Sequence, residues 1–411
     1  MSRTKLLLLA TVATGVMLQP AMALDAQSFV DRVAAVYKTM GYDLEFGPAT
    51  LDGDTITVDG LTASIPSTPE APMEPMVLDT EITFSGVTEN GDGSYFADSV
   101  TIPDIDTEFT AEPVGHLSLS DIRVDGFYVP AGNPPSAVGL LQLYQSFSTG
   151  PLSVTRDGVE VVSFDSVTSE SKFNPEFGSA ALTDLTSTFE VSGITVDLTS
   201  LREEEPDAAD TIDALGLTTV NGDISMDMAW SMSDGHIQIN QFLLDFADVG
   251  SLDIALDITG FTPAVLDQIY AMQAKMAAAG EPTQEQAQAQ MMQGMALLQG
   301  VSIVGASVRY DDASLAGKAL DSVAKDNGTD RANFVAGLKA MLPSVIASSG
   351  IPALNDIVVP PVSAFLDNPQ SLEVKLAPPS PTSLLVLMAA AANPAGLITA
   401  LGLAVEANTA K

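Results

Sequence analysis

Apolar and polar positions alternate at every second residue along most of the chain up to about Gly260. Clear runs are Asp54-Thr-Ile56-Thr-Val58-Asp59, Glu81-Ile-Thr-Phe84, His116-Leu-Ser-Leu119 continuing to Asp125, and Gly235-His-Ile237-Gln-Ile239-Asn. Successive side chains of a strand point to opposite faces, so this pattern predicts strands with one face on a core and the other in water. Between two such runs, Asn90-Gly91-Asp92-Gly93 supplies residues that tolerate the positive φ of a tight hairpin turn. The region therefore reads as an antiparallel sheet. Helical spacing is rarer here. Phe29, Val33, Val36 and Met40 predict a helix over Ala26–Met40, and further helices are expected over Ser136–Phe147 and over Glu203–Leu215, with Pro206 in the first turn of the latter.

After Gly260 the period changes to 3.6. Pro263 opens a helix that places Val265, Ile269, Met272 and Met276 on one face. A second helix starts at Thr283, with Gln286 at capping-box spacing, carries Ala287, Met291, Met295 and Leu298 on one stripe, and closes at Gly300. A strand over Val301–Tyr310, helices over Ser314–Lys325 and Arg331–Leu342, and a strand over Ser371–Leu376 follow. Ser383–Val405 is almost uncharged and about as long as a bilayer crossing, but Asn393-Pro394 interrupts it. A helix ending near Ala392, a turn, and a strand over Leu401–Ala407 are expected instead, with no stable membrane span. The fold class is accordingly α+β: a long twisted antiparallel β-sheet with internal repeats, over residues 24–260, packed with a helix-rich region over 261–411.

The repeat is visible without gaps. Gly115-His116-Leu117-Ser-Leu119-Ser-Asp121-Ile122-Arg-Val124-Asp125 aligns with Gly235-His236-Ile237-Gln-Ile239-Asn-Gln241-Phe242-Leu-Leu244-Asp245. A shorter Ile-x-Val/Leu-Asp pattern recurs at Ile56–Asp59, Ile194–Asp197 and Ile254–Asp257, which suggests a supersecondary unit used several times.

Charge sharpens the division. The 411 residues hold 53 Asp+Glu against 16 Lys+Arg, a formal charge of −37, and residues 24–260 alone carry 41 acids against 6 bases. Such a surface repels phosphate backbones and anionic headgroups, which excludes nucleic acid as a partner. The absence of Cys removes disulfides, thiolate metal sites and cysteine nucleophiles together. At the start of the chain, Arg3 and Lys5, the apolar stretch Leu6–Leu18 and the small-x-small triplet Ala21-Met22-Ala23 predict a cleaved secretory signal over residues 1–23 and hence a periplasmic protein.

Candidate chemistry is sparse. The two histidines, His116 and His236, occupy equivalent repeat positions, which duplication explains without a metal. No Gly-x-Ser-x-Gly, His-Glu-x-x-His, Gly-x-Gly-x-x-Gly or P-loop motif occurs. Asp104-Ile-Asp106 and Asn90-Gly-Asp92 offer oxygens to calcium but match no calcium loop, and read as a strand face and a hairpin tip. No catalytic residue, metal ligand or cofactor is therefore assigned. The methionines of the two helices after Gly260 are the remaining feature, since thioethers suit surfaces that repack around variable apolar partners. Met272, Met276, Met291 and Met295 are the candidate lining of an apolar-ligand groove.

The signal at Met1–Ala23 and the strand pattern at Asp54–Ile65, His116–Phe127 and His236–Phe246 resemble the AsmA-like and YdgA-like repeat-strand proteins of Gram-negative envelopes, and alphaproteobacterial periplasmic proteins of the same texture. That resemblance implies a long curved sheet with an apolar inner face and a role in envelope lipid homeostasis. The chain departs from those groups in its cleaved signal, its acidity and its helical ending. The functional expectation is a non-enzymatic binding or scaffolding protein of the envelope, with a lipid-like ligand or an envelope protein as partner. An acid-dependent hydrolase and a protein-only interaction module are the alternatives.

Overall fold

The computed structural model describes residues 24–64, 75–109, 114–132, 134–199, 206–279, 284–348, 350–351, 353–390 and 394–410; the expected signal and Glu203–Glu205 lie outside them. Among the described residues the protein is mostly β, an open antiparallel sheet of 21 strands with helices set along it. Nearly every strand pairs with its neighbour in sequence, so the sheet is a meander. It begins with β1 (Asp43–Phe46) and β2 (Ala49–Asp52), which share one edge of β3 (Thr55–Ser64), and continues through β4 (Met76–Ser85) and the short β5 (Thr88–Glu89). The hairpin expected at Asn90–Gly93 forms here. The Asn90 amide donates to the Ser94 carbonyl and Gly93 has a φ of 82°.

The next runs are long strands broken in the middle. β6 (Tyr95–Ile102) and β7 (Ile105–Phe109) form one such run, and β8 (Gly115–Leu119) and β9 (Ile122–Val129) form its hairpin partner. β10 (Tyr144–Thr149) with β11 (Leu152–Arg156), and β12 (Val159–Phe164) with β13 (Ser166–Asn174), repeat the arrangement. Local chemistry accounts for three of the four breaks: Pro103 and Pro151 cannot donate to a ladder, and Asp121 adopts a φ of 55°. Uninterrupted strands follow: β14 (Asp184–Asp197), β15 (Thr219–Ser231), β16 (His236–Phe246) and β17 (Gly250–Thr259).

The sheet does not stop where the texture of the sequence changes. β17 pairs with β18 (Ser302–Asp312) over its full length, and β18 with β19 (Ser371–Leu376) and the short β20 (Thr382–Ser383). β19 in turn pairs with β21 (Leu403–Ala407). The C-terminal region thus contributes strands to the same sheet as well as helices beside it.

Helix α1 (Ala26–Thr39) is capped by the Asp25 carboxylate, which accepts from the Ser28 amide at 2.7 Å, and that bond lowers the Asp25 pKa. Its buried stripe of Phe29, Val30, Val33 and Val36 lies on the N-terminal strands. Phe29 meets Phe84 and Tyr95 edge-on, with ring centroids 5.0 and 5.4 Å apart. The helix expected over Ser136–Phe147 is shorter. Helix α2 spans Ala137–Leu140, while Tyr144–Thr149 is the strand between β9 and β13, where cross-strand pairing overrides local spacing.

Helix α3 spans Pro206–Leu215, α4 Pro263–Ala279, α5 Gln284–Leu298, α6 Leu315–Asp326 and α7 Arg331–Ser348. Helix α8 (Leu354–Asp367) has no counterpart in the sequence reading because Pro360 and Pro361 stand inside it, and prolines ordinarily end helices. The helix expected to stop near Ala392 is α9 (Leu384–Ala390), its expected end at 391–393 lies outside the described residues, and between it and the strand expected at Leu401–Ala407 stands a further helix, α10 (Pro394–Leu401), since proline is favoured in a first helical turn.

Candidate functional site: an apolar row across the sheet

Register determines what the two faces of this sheet carry, because directly opposed residues of antiparallel strands share a face. Starting from Leu51 in β2, the opposed residues are Ile56, Phe84, Val100, Val124, Phe147, Ser169, Phe189, Met226, Phe242, Ile254, Val308, Val374 and Val405. A single row therefore crosses the sheet from end to end, and Ser169 is its one polar member.

Coverage of this row changes along its length. At the N-terminal end α1 lies on it: Ile56, Phe84 and Val100 are 0%, 4% and 5% exposed. From Phe189 onward the row is half-buried, and Val308 and Val374 reach 45% and 39%. The step from Phe189 to Val405 crosses six strand pairings, which at about 4.8 Å each is about 29 Å.

Parallel rows widen the bare stretch. Met228, Ile239, Leu256, Ala306, Leu376 and Leu403 run beside it on one side, and Ile224, Leu244, Leu252, Tyr310 and Leu372 on the other. Helices close both flanks. On one, Phe261 and Leu266, at the start of α4, pack on Trp230, whose indole N–H donates to the Phe261 carbonyl at 3.1 Å. On the other, Phe365 of α8 stands edge-on to Tyr310, 6.4 Å between centroids. The Tyr310 hydroxyl has two acceptors within reach of its one proton, the Val249 carbonyl at 3.0 Å and the Asp312 carboxylate at 2.8 Å; burial and the neighbouring carboxylate raise its pKa. The result is a trough with an apolar floor, bordered at Trp230 by the start of α4 and at Tyr310 by α8.

The opposite face is ionic. Its corresponding row reads Glu190, Ser225, Leu243, Asp253, Arg309, Glu373 and Glu406. Arg309, 8% exposed, holds Asp311 at 2.6 Å and Glu373 at 3.3 Å and donates to the Thr409 carbonyl at 2.7 Å. Lys375 bridges Glu373 and Glu406 at 3.0 and 3.5 Å, and these partners raise both cations' pKa values. A cavity of about 490 Å³ on this face gathers Asp165, Asp223 and Asp245. No group of three or more His, Asp or Glu side chains among the described residues is placed to hold a metal.

The two histidines do not meet. His116 pairs with Asp106 at 2.6 Å and His236 with Asp257 at 2.7 Å; the first aspartate lies on the preceding strand and the second on the following one. The carboxylates considered for calcium are likewise engaged locally. Asp104 accepts from the Asp121 amide at 3.0 Å, and Asp92 accepts from the Ser94 amide and hydroxyl, which lowers its pKa.

Of the methionines, Met272 is half-buried on α4, whereas Met291 and Met295 are exposed on α5; the side chain of Met276 lies outside the described residues. The row itself was missed at the level of sequence. Each strand's alternation was visible, but which residue stands opposite which was not.

A protein-family model described as "Uncharacterized protein" matches residues 243–408. That stretch holds β17 to β21, the helices α4 and α8 that flank the trough, and the bare end of the row. No curated protein matches the chain. Among the described residues, no helix is long and apolar enough to cross a membrane.

Proposed function

We propose that this protein is a non-enzymatic binding protein of the bacterial envelope, carried to the periplasm by its signal, that holds a lipid-like ligand in the trough. The observation that supports this reading is the uninterrupted apolar row from Phe189 to Val405, left half-exposed between two flanking helices. Exposed apolar patches beyond a few hundred Å² are uncommon on monomers and mark binding surfaces. The form of this one, long and narrow, suits a hydrocarbon chain: the bare stretch of about 29 Å matches the roughly 30 Å hydrocarbon thickness of a bilayer, hence two acyl chains end to end. Its half-open floor also suits exchange of ligand better than permanent burial.

Native mass spectrometry of protein purified without detergent tests the reading. Wild type is expected to carry lipid adducts, and the double variant Val308→Glu, Val374→Glu to lose them with an unchanged far-UV spectrum. Both positions are substantially exposed, so folding should tolerate the charges. A wild type free of adducts, or a variant that retains them, counts against lipid binding.

A further inference from the structure

The last strand of the sheet, β21, has an open edge. It pairs with β19 without a bulge and with no second strand among the described residues. The Asn408 amide donates to the Ser371 carbonyl at 2.8 Å, and the Ala377 amide to the Gly402 carbonyl at 3.4 Å. Opposed residues of an antiparallel pair alternate between bonded and non-bonded. Between those two bonded pairs, Ala404 and Glu406 therefore bond to Lys375 and Glu373, and the amides and carbonyls of Leu403, Val405 and Ala407 point away from β19. No described residue supplies them with a partner. Asn408, at a φ of 57°, turns the chain off the edge, and Thr409 is held by Arg309 on the ionic face. The strand Leu-Ala-Val-Glu-Ala also lacks what natural edges use against association: it has no proline, no lysine and a single charge. The far edge of the sheet has such protection. There β1 and β2 are separated by Gly47-Pro48 and expose Asp43, Glu45 and Asp52.

We propose that β21 pairs antiparallel with β21 of a second copy of the chain, about a twofold axis at Val405, so that two sheets become one. The strand is self-complementary in that register. Leu403 stands opposite Ala407, Val405 opposite Val405, and each Glu406 opposite an Ala404, so no carboxylate directly faces another. The three outward residues of each copy supply an amide and a carbonyl apiece, and six hydrogen bonds close. Centring the pair on Glu406 sets the two carboxylates opposite each other, and centring it on Ala404 leaves the Ala407 groups without a strand partner. Val405 belongs to the apolar row, so the rows of the two copies run on into one another through the Val405 pair. An interface of five-residue strands is small and each copy carries −37, so the dimer is weak, with a Kd of about 1–100 μM, and it tightens as salt screens the repulsion.

Sedimentation equilibrium of the purified protein at about 0.05 and 0.5 M NaCl tests this pairing. Monomer and dimer in equilibrium are expected, with more dimer at the higher salt. Val405→Pro removes an outward amide and no bond to β19; with the fold checked by far-UV circular dichroism, the Kd should rise at least about tenfold. Ala404→Glu is the second variant. Its carboxylate lies beside Lys375 of its own chain but opposite Glu406 of the second copy, so it should weaken the dimer severalfold more than Thr188→Glu, which adds the same charge at an exposed position of β14. A protein that stays monomeric at both salts up to about 100 μM, a dimer indifferent to Val405→Pro, or equal effects of Ala404→Glu and Thr188→Glu overturns the proposal.

Discussion

Removing the ring of Phe29 should detach α1 from the sheet and uncover the closed end of the apolar row. Phe29 is 0% exposed and packs edge-on to both Phe84 and Tyr95. Truncation of a buried phenylalanine to alanine costs about 3–5 kcal/mol, the spread reflecting how far the site can collapse. Collapse is limited here, because the opposing wall is a pleated strand surface formed by Ile56, Val58, Ile82 and Phe84, fixed by ladder bonds on both sides. The upper half of the range, about 4 kcal/mol, is therefore expected for Phe29→Ala. With a urea slope of about 3 kcal/mol per molar, that lowers the midpoint by about 1.3 M. Amide exchange adds the spatial readout: Val33 and Val36 should lose protection with Phe29→Ala, whereas β16 and β17, remote from α1, should keep theirs. Phe29→Leu, which keeps most of the apolar volume, should lose distinctly less. A cost below about 1 kcal/mol for Phe29→Ala, or a uniform loss of protection across the chain, would falsify the view that α1 seals one end of a continuous row.

Other outcomes follow from the same structure. Arg309→Met leaves Asp311 and the buried Glu373 without their guanidinium; removing one partner of a buried ion pair costs about 3–5 kcal/mol, and the remaining Lys375 places this case at about 3, measured by urea unfolding. Tyr37 has its pKa raised from 10.0 to about 12, burial being the main cause and neighbouring tyrosines secondary. The neutral phenol is favoured in the fold, so its contribution is complete below pH 10.0 and is lost as pH rises through about 12. Up to about 3 kcal/mol should disappear over that window, less in proportion to the water reaching the hydroxyl, and an alkaline unfolding curve identical in Tyr37→Phe contradicts this. With a net charge of −37, mostly on strands, thermal stability should rise between about 0.01 and 1 M NaCl as the screening length shortens from about 30 to 3 Å, and a salt-independent melting temperature argues against repulsion as a significant term.

Much of this fold was legible along the chain because strand faces and helix faces are local periodicities. The alternation at Asp54–Asp59 and Gly235–Asn240, the Asn90–Gly93 turn, the stripe of α1 and the bounds of β19 each depend on residues a few positions apart. Local signals misled where tertiary contacts outweighed them. Tyr144–Thr149 joined the sheet because β9 and β13 offered ladder partners on both sides, and α8 formed through Pro360 and Pro361 against β19 and β21.

By itself, then, the sequence determined a β-rich acidic chain with helices gathered late, with no recognisable catalytic motif and with an alternating face on each strand. The tertiary structure alone decided the register that aligns Leu51 with Ile56 and, strand after strand, reaches Val405. It also decided which part of that row α1 covers and which part it leaves open. The physical reason is the same in both cases. Periodicity states that a residue faces one side of its own strand, whereas a shared surface depends on pairings between residues tens to hundreds of positions apart, which no local pattern encodes.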